Sequence, residues 1–496
     1  MNLAALLEGI DHSLTGPVDR AIRGIEYDSR KIREGCIFVA LPGEHADGKD
    51  FIQQAIDRGA TVIVANERRP ASGVTYVVVK DPLAVLSDIS ARFYCHPDRK
   101  LYLVGITGTN GKTTISYFLE SMFRKAGRRP GVIGTVNYRY GSQVIAAPNT
   151  TPQSSDIYRI FHAMTASSCD SAIMEVSSHA LSLGRVSGLE FDCAIFTNLT
   201  QDHLDFHQTM DAYFESKAKL FSGLGPGEKS KPKFAIINRD DPWGRKLIAR
   251  VSGATVLTYG LNEKADISAQ HIRAGSKGSE FVLVTPHGRR KINIPHLGQH
   301  NIYNALAAAG AAFGAGIAFN MVSESLQQAP MAPGRLEKVD AGQSFTVVVD
   351  YAHTPDALQN VITALRALKP ARLITIFGCG GDRDRAKRPL MGQVAAELSD
   401  YVFVTSDNPR SEDPQRIALD IEVGIRRRHL DNYQVILERQ QAIASAISMA
   451  QKGDIILIAG KGHENYQIIG DNKIHFNDVE IAAKYLRQHY HTSSVA

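Results

Sequence analysis

Short runs of β-branched and aliphatic residues alternate with longer helical patterns almost from end to end of the chain. That alternation predicts α/β architecture with mostly parallel sheets. In the first block the runs are GCIFVAL, ATVIVAN and VTYVVVK, with the helical pattern FIQQAIDRG between the first two. DPLAVLSDISARFY reads as a closing helix and CHPDRK as a polar joint, which places a boundary near residue 97. The second block runs through LYLVGIT, SAIMEV, CAIFTNL, KFAIINR and ATVLTYG. Its more polar strands ISAQHIRAG, SEFVLVTP and RKINIP predict an antiparallel extension, and HNIYNALAAAGAAFGAG an alanine-rich helix. The Pro/Gly punctuation of QQAPMAPGRLE marks a linker, so a second boundary falls near 333. TVVVD, RLITIF, YVFVTS, YQVILE and DIILIAG build the third block, and the tail HTSSVA is expected to fray. The expected domains are therefore 1–97, 98–333 and 334–496.

Composition adds limits. For 496 residues, a prior of roughly 150 per domain agrees with three domains. A net charge of +5 suits anionic small ligands, and with no basic stripe it excludes a chain built to wrap nucleic acid. The N-terminus MNLAALLEGIDHSL does not read as a secretory leader, and no run reaches the ~20 apolar residues that cross a bilayer. Five scattered cysteines (Cys36, Cys95, Cys169, Cys193, Cys379) suit reduced thiols in a cytoplasm. A cytoplasmic protein without membrane insertion is expected.

The distinctive residues follow strands. LYLVGIT leads to GTNGKTT, SAIMEV to SSHAL and CAIFTNL to TQDHLDFH; TVVVD leads to YAHTPDA, RLITIF to GCGGDRDRAKR, YVFVTS to DNPRSEDP and DIILIAG to KGHENYQ. Loops at the carboxyl ends of parallel strands share one edge, where ligands bind. Two polar, glycine-rich rims facing each other across a cleft are expected.

GITGTNGKTT is the most specific signal. Between a strand and a helix, the backbone of Gly108, Thr109, Asn110 and Gly111 can cradle phosphates, with Thr114 at the helix start. Lys112 can reach the terminal phosphates and Thr113 can ligate magnesium. Ile106 stands where the strict Walker pattern has its first glycine, so the loop is a variant with Gly108 inside it. Glu175 and His203, at the ends of neighbouring strands, are candidate magnesium ligands beside those phosphates. Lys217 in YFESKAKLF reads, from its pattern alone, as a solvated helical cation.

GTNGKTT, EVSSHAL, NLTQDHLDFH, GQHNIYNALAA, MAPGRLE, DYAHTPDAL and GKGHENYQ, in this order, resemble the Mur ligase family over essentially the whole chain. YDSRKIREGCIFVALPGEHADG is similar to the N-terminal segment of members that add the third residue of the muramoyl peptide. The resemblance implies an N-terminal UDP-substrate domain, a central P-loop-type ATPase domain and a Rossmann-like C-terminal domain that binds the amino acid. It implies ATP and Mg2+, and an acyl phosphate on the D-glutamyl γ-carboxylate of UDP-N-acetylmuramoyl-L-alanyl-D-glutamate, attacked by an incoming amine. Phosphorylation supplies the leaving group that a carboxylate lacks.

Residue by residue, the resemblance implies magnesium on Thr113 and Glu175 and near His203, and a carbamylated Lys217. Asn301 would contact adenine, with Arg335 and Asp350 at phosphate and ribose and His353 nearby. Ser29, Asn149, Thr150, Thr151, Ser177 and Arg185 would contact the UDP-muramoyl dipeptide. Leu183 departs from members that carry a substrate-touching glutamine at its place. DNPR (Asp407, Asn408, Pro409, Arg410) resembles members that use meso-diaminopimelate, whose distal carboxylate an arginine fork can bind bidentately. Arg383, Gly460 and Glu464 are the remaining expected contacts, Glu464 suiting an ammonium. A monomer is expected, with only small-molecule partners. The rival readings are a lysine-adding or other family ligase, and, from another class, a bare P-loop NTPase.

Overall fold

The structure is a computed structural model that describes residues 1–43, 46–69, 73–225, 227–262, 264–275 and 278–493. Residues 44 and 45 of FVALPGEHADG, and 494–496 of the tail, lie outside the described residues. The last helix, Asp478–Ser493, takes in the first half of the tail expected to fray. Two compact units result. One comprises Met1–Gly105, Arg128–Asp192 and Gly223–Lys233; the other comprises Ile106–Gly127, Cys193–Ser222 and Phe234–Ala496.

The first unit holds a five-stranded sheet in the order Ser13–Thr15, Thr75–Val78, Ala60–Ala65, Cys36–Val39, Gly24–Glu26. The first pair is antiparallel and the others are parallel. Its apolar strands are covered on both faces, which is why they read as continuous rather than alternating runs. Strands Pro130–Ile133 and Ser171–Glu175 pair in parallel in this unit. An unexpected hairpin, Asn137–Tyr140 and Gln143–Ala146, adds to the former antiparallel. All four residues of Gln143–Ala146 are exposed, so the strand carries no buried stripe for a sequence pattern to reveal. The CHPDRK joint holds a short helix, Pro97–Lys100, and its Asp98 is buried because the carboxylate accepts the Glu190 N–H at 3.2 Å.

In the second unit Cys193–Phe196, Phe234–Asn238 and Thr255–Gly260 are parallel, and Ile267–Gly275, Gly278–Thr285 and Gly288–Ile294 form the expected antiparallel extension. Helix Gln299–Gly314 lies close on these strands because its residues are small. A Cβ on Gly310 would stand 2.9 Å from Ile236. A six-stranded sheet follows in the order Glu337–Val339, Thr346–Asp350, Ile455–Ala459, Leu373–Phe377, Tyr401–Val404, Tyr433–Val435, with separate apolar clusters on its two faces. Only its first pair is antiparallel.

Four helices start with the same local device, a capping side chain followed by proline: Asp81-Pro82, Asp241-Pro242, Thr354-Pro355 and Asp413-Pro414. The cap oxygen satisfies amide N–H groups that the first turn leaves open, and proline sits where no N–H is required. No described helix is long and apolar enough to cross a membrane.

Candidate active site

Strand Tyr102–Thr107 ends in the phosphate loop, and helix Lys112–Lys125 follows it. Gly108 (φ +142°) and Gly111 (φ +92°) both take backbone conformations that favour glycine. A Cβ on the first would collide with Thr197 Oγ1, and on the second with Asn304 Oδ1. The loop is pinned by Thr109 N–H to Asn198 O and by Asn110 N–H to Asn198 Oδ1, each at 2.9 Å. Lys112 Nζ donates to Gly108 O and Thr109 O at 2.8 Å, curling over its own loop.

Thr354 caps helix Pro355–Arg366 and so places Asp356 in its first turn. There Asp356 Oδ2 accepts from Asn110 Nδ2 at 2.8 Å. Arg335 Nη2 donates to the buried Thr113 Oγ1 at 3.5 Å, while its guanidinium lies 4.9 Å from the centre of the Tyr351 ring. Arg335 Nε is buried without a hydrogen-bond partner among the described residues, an arrangement open to an anion. Within this unit, therefore, the rims expected to face each other do meet.

They enclose a cavity of about 270 Å³ lined by Asn110, Gly111, Thr114, Asn301, Arg335 and Asp350, among others. Asn301 Nδ2 donates to Leu297 O at 2.8 Å and its Oδ1 accepts from Asn304 at 2.9 Å. Asp350 accepts the Leu336 and Ala352 N–H groups at 2.8 Å; burial raises its carboxyl above the usual range.

Lys217 is 1% exposed, and the solvated cation that its pattern suggested is overturned. Helix Met210–Ser222 turns it inward, where Nζ donates to Gly108 O at 2.9 Å and lies 4.5 Å from the Tyr213 ring centre. Burial, reinforced by the charge of Lys112, drives its amine well below the ordinary lysine range against the opposing pull of Asp202.

Asp202 is a hub that the motif reading missed. Its carboxylate lies 3.3 Å from His203 Nε2, 3.8 Å from His353 Nε2 and 3.5 Å from Lys387 Nζ. Burial pushes Asp202 up, but Lys387 and the two histidines outweigh it and hold the carboxyl well below its usual range. His203 itself adopts left-handed backbone (φ +56°).

At the other end of this unit, DNPR and KGHE form one cluster. Arg410 has left-handed backbone (φ +52°), held by its N–H to Ile468 O at 3.1 Å and by Gly470 N–H to Arg410 O at 2.8 Å. Its Nη1 donates to Gly381 O at 2.7 Å, and Arg383 Nη1 to Asp382 O at 2.8 Å. A Cβ on Gly380 would lie 3.0 Å from Arg410 Nη1 and 3.8 Å from Arg383 Cγ, so both side chains pass Gly380. Among the described residues neither forms a salt bridge with a carboxylate; each donates to a backbone carbonyl. Burial and Arg383 both make charge on Arg410 costly.

Asn408 Nδ2 donates to Glu464 Oε2 at 2.9 Å, and Gly460 gives room to Asp407 Oδ2, 2.6 Å from where its Cβ would stand. The hairpin Tyr466–Ile469 and Asn472–His475, also missed, supports this loop through Gln467 Nε2 to Asp407 O at 2.7 Å.

In the first unit Thr151 Oγ1 donates to Glu175 O at 2.9 Å and accepts the Ser177 N–H at 3.0 Å. Arg185 Nη1 donates to Thr151 O at 3.1 Å, and Thr150 Oγ1 lies 3.1 Å from Thr135 Oγ1. Tyr138 Oη bonds Asn149 O, completing a cluster of five of the six residues expected at the muramoyl substrate. Ser29 is not hydrogen-bonded into that cluster; its hydroxyl bonds Gln54 in a second cavity shared with Tyr27 and Phe38. Glu175 is 1% exposed and accepts from Thr135 N at 3.1 Å and Thr135 Oγ1 at 2.8 Å. Leu183 is 38% exposed.

Comparison with known proteins sets this geometry in a family. The Mur ligase family catalytic domain pattern matches residues 21–94, the Mur ligase middle domain 106–312, and the glutamate ligase domain of Mur ligases 334–462. The UDP-N-acetylmuramoyl-L-alanyl-D-glutamate–2,6-diaminopimelate ligase of Bacillus licheniformis is 45% identical over 487 residues, covering 98% of this chain and 99% of that protein. The chain belongs to the Mur ligase family. The protein of the same name from Solibacter usitatus is 45% identical over 499 residues, covering 99% of each chain. A solved structure of a ligase of that name superposes with a TM-score of 0.69 at 32% identity, covering 99% of each chain.

As a Mur ligase the protein has the three-part α/β fold that its strand–helix alternation predicted. Asn198, Asn304, Asp356, Asp202 and Lys387 escaped the motif reading. Asn304 had a signal, since it stands one turn from Asn301 on the same helix face. Asp202 lies in TQDHLDFH and Lys387 in GCGGDRDRAKR, but nothing local shows that they meet, because they are 185 residues apart in the chain.

Proposed function

We propose that this Mur ligase joins meso-2,6-diaminopimelate to the D-glutamyl γ-carboxylate of UDP-N-acetylmuramoyl-L-alanyl-D-glutamate, with cleavage of ATP to ADP and phosphate. It acts in peptidoglycan synthesis. The observation that carries the amino-acid assignment is a half-buried Arg410 without a carboxylate partner among the described residues, close enough to Arg383 and Glu464 to feel their charge. An arginine left unneutralised suits the distal carboxylate of diaminopimelate and is wasted on lysine. Asp407, Asn408, Pro409 and Gly460 shape the same pocket.

In this reading Gly108 to Thr114 and Lys112 hold the phosphates, Asn301 the adenine, Asp350 the ribose, and Arg335 a phosphate oxygen. The γ-phosphoryl group passes to the substrate carboxylate, the amine attacks the acyl phosphate, phosphate departs with the C–O electron pair, and the amine proton is lost to solvent. The depressed basicity of Lys217 supports carbamylation, because only an unprotonated amine adds to carbon dioxide. Ser29, Asn149, Thr150, Thr151, Ser177 and Arg185 bind the UDP-muramoyl dipeptide.

The donor set fits magnesium. Thr113 offers a buried hydroxyl beside the phosphate loop, and Glu175 and His203 offer a carboxylate and an imidazole. Such sparse protein ligation is what magnesium uses when phosphates and water complete its shell. Thr113, Glu175 and His203 are the residues that would hold it, and the ion supplies positive charge to the phosphoryl group in transfer.

The segments 1–97, 98–333 and 334–496 are proposed to bind the UDP-substrate, ATP and the amino acid, in a cytoplasmic monomer. Phosphate release from ATP, measured with the UDP-muramoyl dipeptide and either meso-diaminopimelate or L-lysine, tests the assignment. Release that requires the dipeptide and prefers diaminopimelate supports it. A lysine preference would keep the ligase and overturn the role of Arg410; release indifferent to the dipeptide would overturn the ligase.

A further inference from the structure

Lys461 lies in the amino-acid cluster with no exposed surface. Its Nζ donates to Asn408 Oδ1 and to Glu464 Oε2, both at 3.1 Å. Asn408 Oδ1 also accepts the Ile468 N–H at 3.0 Å, so two donors fix the direction of this amide. Its Nδ2 must then face Glu464, where it donates at 2.9 Å. Glu464 Oε2 thus receives two hydrogen bonds from a rigid frame.

Charge gives the same residue a second task. The carboxylates of buried Asp407 and half-buried Glu464 repel each other, which adds to the cost of burial, and Lys461 opposes both effects on Glu464. With Lys461 in place, one positive charge faces the two carboxylates, while Arg410 offers donors for one carboxylate. That balance fits a zwitterionic amino-acid end. Without Lys461, the two carboxylates would favour an end bearing only an ammonium, as lysine presents.

We propose that Lys461 is a positioning and specificity-determining residue for the incoming diamino acid, fixing Glu464 and Asn408 and offsetting one carboxylate so that the pocket favours a zwitterionic end over a purely cationic one. This rests on the ligase reading above.

The test compares kcat/KM for meso-diaminopimelate and for L-lysine in the full-length enzyme, using phosphate release, for wild type, Lys461→Met, Lys461→Gln and Lys461→Arg. Lys461→Met is expected to raise the KM for diaminopimelate about tenfold, the effect of losing one charge-assisted contact. Its preference for diaminopimelate over lysine falls by a similar factor, while the KM values for ATP and the muramoyl dipeptide stay within about twofold. Lys461→Arg retains the preference. Lys461→Gln can still donate to both partners, so it folds more readily and is read where Lys461→Met does not accumulate; it loses the preference as well. An unchanged preference in the neutral variants, or a parallel rise in all three KM values, would overturn the role of Lys461. A wild type that releases no phosphate in response to diaminopimelate would overturn the ligase reading itself.

Discussion

Two lysines in the second unit, Lys217 and Lys461, are both almost wholly buried, and their surroundings part them. Lys461 faces the carboxylate of Glu464, so its ammonium is ion-paired and organises a binding pocket. Lys217 has a backbone carbonyl and a tyrosine ring as its near neighbours, with Lys112 adding like charge. A buried base without a carboxylate holds its proton less tightly. The difference teaches that burial alone does not set what a lysine does; the partner decides between a structural cation and a reactive amine. His296 and Arg439 extend the contrast. His296 is buried against Phe118 without a carboxylate, and burial pushes it down to about 4. Arg439 is fully buried but bound to Asp478 at 2.7 Å and 2.8 Å.

The sharpest way to break the contrast is Lys217→Ala. It is expected to lower kcat by about a thousandfold or more, the scale of losing an electrostatic group at a reacting phosphate. Phosphate release measures this, and NMR with 13C-labelled bicarbonate should show a carbamate signal in wild type alone. Full activity in the variant, or no such signal in wild type, would end the carbamylation reading.

Next comes Arg439→Met, which leaves Asp478 buried and unpaired. A loss of about 3–5 kcal/mol in unfolding free energy is expected by denaturant titration. A loss below about 1 kcal/mol would mean that the pair contributes like a surface bridge.

His296 gives a pH test. Its folded value, about 4, lies below its ordinary 6.5, so the unfolded chain takes up the proton first as pH falls. The stability from the neutral ring is present above pH 6.5 and lost as pH drops through 4, about 3 kcal/mol in all. His296→Phe should remove that part of the acid slope, and an unchanged slope would contradict it.

The smallest expected effect is Arg410→Ala. The KM for diaminopimelate should rise about a hundredfold, worth about 2–3 kcal/mol, with the KM for ATP nearly unchanged. Equal losses for both substrates would make Arg410 a structural residue.

How much of this was legible in the chain depends on range. The phosphate loop, the capped helix carrying Asp356 and the DNPR and KGHE loops announce themselves, because glycines, caps and prolines act on their own backbone within a few residues. Continuous apolar strands declare a sheet covered on both faces. The exposed strand Gln143–Ala146 declares nothing, since no buried face imposes a period on it.

By itself the sequence determined the α/β class, the strand ends that carry chemistry and the membership of the Mur ligase family. Those are properties of local pattern and of motif order. Only the tertiary structure decided that Lys217 is buried without a carboxylate and Lys461 buried against one, that Asp202 gathers His203, His353 and Lys387, and that the charge of Arg383 bears on Arg410. Charge and burial depend on what folding brings near from distant parts of the chain, and no local pattern carries that information.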